Sequence, residues 1–255
     1  MRIALGILAA SLAASVHGGG CVAKSGPRTA ALVELYTSEG CSSCPPADRW
    51  LSSLAAQGYG PERLVPLALH VDYWDYIGWK DRYARREFSQ RQRKLTQLQR
   101  LALVYTPQVM LQGQDFRGWG TPAFDEALAR INARPARAEI ALELAPAKAG
   151  ALAVRVNATI LDEAQIDAAG LYLAAYENRL ESRVSAGENR GRTLAHDHVV
   201  LEWQGPLPFS GARLDQERVL ALVPGASSAN SGVVAFVQNR RSAEVLQALM
   251  LPACP

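Results

Sequence analysis

"ALVELYTSEGCSSCPPAD", residues 31–48, decides how the rest of the chain is read. The run from Thr29 to Ser38 is almost continuously apolar and rich in strand formers, the pattern of a buried strand. Cys41 and Cys44 follow at once, separated by two serines and followed by Pro45 and Pro46. Then "ADRWLSSLAAQG" (47–58) has helical spacing through Trp50, Leu51, Leu54 and Ala55, and stops at Gly58. Two thiols thus sit where a strand ends and a helix begins.

That position has chemical consequences. A thiolate, not a thiol, attacks a disulfide, and the unpaired N–H groups and positive dipole end of a helix start favour the thiolate. Cys41 has that placement. The prolines are compatible with it because first-turn N–H groups lack helical partners, so the regular helix is expected to start near Ser43 or Cys44. Cys44 is then the more shielded thiol and resolves a mixed disulfide formed on Cys41. The spacing alone leaves a structural disulfide and a metal site open. A four-thiolate zinc site lacks its second pair, and copper(I) would find only Met110 nearby in sequence.

Working outward, "RLVPLALHVDYW" (63–74) reads as a second buried strand and "KDRYARREFSQRQRKLTQLQRLAL" (80–103) as a helix. "PQVMLQGQDFRGWG" (107–120) reads as two short strands turning near Gly113. "TPAFDEALARINA" (121–133) opens with a Thr cap and a first-turn Pro. Past residues 133–139 the texture changes to short, often alternating runs bounded by Gly, Pro and Asn. This predicts a second, mainly β domain of sandwich type, with a helix only at "SAEVLQALM" (242–250).

"ALVELYTSEGCSSCPPAD" followed by "YTPQVMLQG" resembles a thioredoxin-type fold, with strand, C-x-x-C, helix, then a Thr-Pro leading into a hairpin. The resemblance implies a cis Pro107 beside the cysteines and Thr106 lining a substrate groove. More narrowly, "ELYTSEGCSSCPPAD", "HVDYWDYIGWKD", "FSQRQR", "VYTPQ" and "GENRGRTLAHDHVV" are similar to the secreted, thioredoxin-like domain-of-unknown-function family 1223. The resemblance implies fold and architecture and brings no activity with it. The expected fold class is an α/β thioredoxin-like domain over 29–135 followed by a mainly β, sandwich-like domain over 137–255. The Ser-Ser between the cysteines departs from the Gly-Pro of thioredoxins proper, so no redox potential carries over.

Other residues add candidates. Glu34 inside an apolar strand is costly unless it serves a purpose. Thioredoxins hold a buried acid near this point, and burial would raise its pKa and suit it to pass a proton to or from Cys44. "HVDYWDYIGW" (70–79) groups Tyr73, Trp74, Tyr76 and Trp79, either a rim that grips a ligand or a loop packed on the core. Lys80 to Arg100 carries a local charge of +6, most simply a solvated helix face. His196 and His198 flank Asp197 and are expected on one face of a strand.

"MRIALGILAASLAASV" (1–16) has the form of a secretory signal too short to span a membrane, so residues 1–20 are read as a leader. A periplasmic or secreted location follows, with lipid attachment at Cys21 or a Cys21–Cys254 bridge as alternatives. Hydrophobic content of 49% and a net charge of +3 fit a globular chain and name no acidic partner. The expected function is thiol–disulfide exchange with protein or small-molecule thiols, needing no organic cofactor, no nucleic acid and no stable membrane insertion. Its rivals are a periplasmic binding protein braced by a structural Cys41–Cys44 bond and a copper or zinc carrier.

Overall fold

The computed structural model describes residues 21–146, 150–222 and 227–253. Cys254 and residues 1–20, read from the sequence as a leader, lie outside the described residues. Cys21 takes part in a disulfide, and a sulfur so bonded cannot also carry a lipid thioether.

The chain is mainly β. In order come β1 (Cys21–Lys24), β2 (Ala31–Thr37), α1 (Pro45–Ser53), β3 (Leu64–His70), α2 (Arg86–Leu98), β4 (Gln108–Leu111), β5 (Gln114–Asp115) and α3 (Pro122–Asn132). Then follow β6 (Ala138–Pro146), β7 (Ala151–Ile160), β8 (Ala169–Glu177), β9 (Leu180–Arg183), β10 (Thr193–His196), β11 (Val199–Pro208), β12 (Arg213–Ala221), β13 (Ser231–Asn239) and β14 (Val245–Pro252). A 3-10 turn over Asp72–Ile77 joins β3 to the α2 region.

One eight-stranded sheet, in the order β14-β13-β8-β11-β3-β2-β4-β5, runs through both halves of the sequence. The change of texture near residues 133–139 falls where α3 gives way to β6, yet β11 returns to lie parallel to β3, with Val199 opposite Ala68. A four-stranded sheet, β1-β6-β7-β12, covers one end of one face. Alternate residues of β6 and β7, from Ala138 to Ile160, interlock there with Leu171, Leu173, Val233 and Val237. Further along the same face, α1 and α3 bury Leu51, Leu54, Phe124 and Leu128 against Ala31, Val33 and Leu35. The opposite face is covered by α2, whose Phe88 and Leu95 meet Leu32, Tyr36 and Leu67.

The period-two side-chain rule sorts β2 accordingly. Ala31, Val33 and Leu35 face α1, and Thr37 continues that row. Leu32, Glu34 and Tyr36 face α2.

One expected helix is a strand. "SAEVLQALM" becomes most of β14, paired antiparallel to β13, with Val245 to Leu251 all buried. A short run covered on both sides has no amphipathic period to separate strand from helix.

Candidate functional site

β2 ends at Thr37, and the chain turns through Ser38, Glu39 and Gly40 to reach Cys41. The backbone closes two tight turns there: Cys41 N donates to Ser38 O at 3.2 Å and Cys44 N to Cys41 O at 3.2 Å. Cys44 is the N-cap of α1, and Pro45 and Pro46 fill the first helical positions where no N–H is needed. Cys41 and Cys44 form a disulfide, with Cα atoms 5.4 Å apart. With both sulfurs bonded to each other, carriage of copper or zinc would require the reduced pair.

The Thr106–Pro107 bond is cis. Tyr36 pairs with Gln108 across β2 and β4, so Pro107 falls beside the strand end from which the cysteine turn departs. Trp74 ties these parts together. Its indole Nε1 donates to Thr106 Oγ1 at 2.7 Å, while a Cβ on Gly40 would lie only 3.2 Å from Trp74 Cβ.

The expected difference in shielding between the two sulfurs does not hold: Cys41 and Cys44 are both 0% exposed, and only Ser42 and Ser43 between them reach solvent. The cover comes from far along the chain. In the loop between β9 and β10, the fully buried Asn189 donates from Nδ2 to Glu39 O at 2.8 Å and to Cys41 O at 2.9 Å. Glu188 Oε2 accepts from Ser42 N at 2.9 Å, and hydrogen bonding to the Ser42 side chain and then to its backbone lowers the carboxyl's pKa. Gly187, at φ +71°, lets the loop approach the 72–79 segment: a Cβ there would meet Ile77 Cδ1 at 3.1 Å.

The segment 70–79 is packed more than displayed. Tyr73 donates to Gln92, Trp74 to Thr106 and Trp79 to Glu39, leaving Tyr76 as the exposed ring.

On the α1 face of the sheet lies a cluster of titratable groups. Glu39, Asp48, His70, Asp81 and His196 are each at most 7% exposed. His70 Nδ1 and Asp81 Oδ2 are 2.6 Å apart, and Asp81 also accepts from the backbone N–H groups of Glu39 and Tyr83. Burial disfavours a charged imidazole, but the Asp81 carboxylate outweighs it and raises His70 to about 9. Burial works against the Asp81 charge too, and the His70 cation still holds its carboxyl below the usual range. His196 Nε2 lies 3.5 Å from Glu39 Oε1, and its ring meets that of His70 at 5.0 Å between centroids. Burial pushes the Asp48 carboxyl up. Four residues beyond Cys44, Asp48 shares its side of the helix.

Glu34 does not belong to this cluster. It is buried on the α2 face, where Arg91 grips it with Nε on Oε1 at 2.6 Å and Nη2 on Oε2 at 3.0 Å. The proton-shuttle role expected of Glu34 fails on two counts, the wrong face of the sheet and an engaged carboxylate. The two histidines also part. His198 takes a left-handed backbone (φ 58°) and packs on Tyr176, while His196 turns toward Glu39. Burial lowers the His198 pKa to about 4.

Sequence reasoning missed Asn189, Glu188 and Arg91. Only Arg91 left a usable signal, because it sits on the apolar stripe between Phe88 and Leu95.

Residues 32–238 match the family model described as "Protein of unknown function (DUF1223)". The chain is a DUF1223 protein. Among solved structures, this DUF1223 chain is similar to protein AGR_C_4864 from Agrobacterium tumefaciens. That match has a TM-score of 0.61 and 22% identity over 89% of this chain and 96% of the other. It is also similar to HBP35 of Porphyromonas gingivalis, with a TM-score of 0.66 and 16% identity over 90% of this chain and 76% of the other. Identities this low establish a shared fold alone. No curated protein matches the DUF1223 chain.

Proposed function

We propose that this protein carries out thiol–disulfide exchange through Cys41 and Cys44, in a thioredoxin-like front half, outside the cytoplasm. The observation that carries the reading is the disulfide between a strand end and a helix start, with cis Pro107 beside that strand end. The apolar leader at residues 1–16 and a second disulfide at Cys21 support an oxidising compartment.

In the exchange, a substrate thiolate attacks Sγ of Cys41. The S–S bond breaks, and its electron pair leaves on Cys44 as a thiolate that takes up a proton. A second substrate thiolate then attacks the substrate sulfur of the mixed disulfide. It releases a substrate disulfide and leaves Cys41 reduced; the reverse sequence reduces a substrate disulfide to a dithiol and re-forms the Cys41–Cys44 bond. Asp48, with its carboxyl raised and on the Cys44 side of α1, serves the proton transfer proposed at first for Glu34. Thr106 and Pro107 border the groove. Because Cys41 is covered, attack requires Asn189 and Glu188 to let go of the cysteine turn.

That coverage favours a second reading, in which the bond braces a loop within a binding protein. Reduction by dithiothreitol separates the two. Exchange requires the native, folded protein to be reduced at a rate that saturates neither with denaturant nor with unfolding. A brace is reduced only as fast as the chain unfolds.

A further inference from the structure

The α2 face holds a cleft of about 740 Å³ that the redox reading does not use. One wall is a single stripe of α2, from Glu87 through Arg91, Lys94 and Leu95 to Leu98. Eleven residue steps at the helical rise make this about 16 Å long. The facing wall comes from the other half of the chain: Tyr172, Trp203, Pro206 and the turn after β13 at Arg240 and Arg241.

The floor is aromatic and cationic. Tyr172 stacks on Phe236 with centroids 4.8 Å apart, and Trp203 leans on both rings. The Arg91 guanidinium lies 4.8–5.2 Å from all three ring centroids. Its Nε and Nη2 are bound to Glu34 and Gln238, and Nη1 is left outside those bonds. The side chain is 10% exposed.

Arg91 is balanced by Glu34, but Lys94, Arg240 and Arg241 have no carboxylate within 4.0 Å among the described residues. Arg240 is anchored through Nε and Nη2 to the carbonyls of Ala168 and Asp167, which fixes its position at the rim. Glu87 is the one acidic residue of the lining and sits at the far end of the stripe, one turn before Arg91. Trp203 lines the same cleft, so an aromatic wall and surplus positive charge meet there.

We infer that this cleft binds a single-chain amphiphile with an anionic head group, the head held between Arg91, Lys94 and Arg241 and the apolar chain lying along Leu98, Trp203 and Pro206. Charge complementarity selects the head, and contact with the apolar part of the lining removes one side of the chain from water. The site is independent of the cysteine chemistry, since it lies on the opposite face of the sheet.

The test uses the folded full chain labelled with ¹⁵N at its tryptophan indoles, the Trp203 signal being the one lost in Trp203→Phe. Dodecyl phosphate is titrated below its micelle concentration. The expected result is a saturable shift of the Trp203 signal that is weakened about tenfold or more in the surface double variant Lys94→Glu/Arg241→Glu. Inorganic phosphate and dodecyl maltoside should each bind more weakly than dodecyl phosphate. No saturable shift, or one untouched by the double variant, overturns the proposal. Equal binding of inorganic phosphate overturns the apolar half of it, and equal binding of the maltoside overturns the anionic half. A Cys41→Ser/Cys44→Ser variant should bind dodecyl phosphate unchanged, whatever becomes of the exchange reaction.

Discussion

Replacing Asn189 by Ala should speed reduction of the Cys41–Cys44 bond in the folded protein. Asn189 is fully buried and its amide donates to two carbonyls of the cysteine turn, at Glu39 and Cys41, while its Oδ1 accepts from Arg192 at 3.2 Å. Each buried bond contributes about 0.5–1.5 kcal/mol net, so losing the two on the turn weakens closure by roughly 1–3 kcal/mol. If reduction proceeds through the open loop, that range converts to a rate rise of about 5- to 150-fold. The assay is reduction by excess dithiothreitol at 25 °C, with samples quenched by alkylation and counted by mass. Chemical denaturation of the same variant measures its global stability alongside. A rate rise under about twofold, with stability reduced by the expected 1–3 kcal/mol, would refute the idea that this loop controls access.

Three further outcomes follow from the same contacts. Glu34→Gln should destabilise the protein by about 3–5 kcal/mol in urea unfolding, because it leaves the Arg91 charge buried without its partner. It should leave exchange by the folded protein unchanged, which a shuttle role would not allow. For His70, the folded pKa of about 9 lies above the usual 6.5, so its pairing with Asp81 stabilises fully below pH 6.5 and is lost as pH rises through about 9. The stability difference between the wild type and His70→Asn should therefore shrink over that window, and a difference constant from pH 6 to 10 would contradict the pairing. Gly113→Ala should destabilise the hairpin between β4 and β5 by more than about 1 kcal/mol in thermal unfolding. The site has φ +77°, and the new Cβ would lie 2.0 Å from Ala243 O.

The contrast between sequence and structure follows the distance over which each feature is encoded. β2, the cysteine turn, α1 and the Gly113 hairpin were legible because each is set by neighbouring residues: an apolar run, a Pro pair, a Gly at positive φ. The eight-stranded sheet was not, because its join depends on Val199 pairing with Ala68 across more than half the chain. The cover over the cysteines was hidden for the same reason, since Asn189 meets Cys41 across 148 residues. Glu34 was correctly read as an anomaly in an apolar strand and wrongly assigned. Its partner was already visible as a cation on the apolar stripe of "FSQRQR", but a strand does not reveal from one charged residue which face it looks toward.

The most direct measurement of the central claim is a trapping one. Folded Cys44→Ser protein is incubated with oxidised glutathione and its mass recorded over time. Exchange chemistry at Cys41 requires one glutathione per chain, removed again by dithiothreitol, with modification faster when Asn189→Ala is added. A Cys41 that stays unmodified in the folded protein, while the denatured protein reacts freely, would contradict a reactive sulfur at that site and leave the bond as a brace.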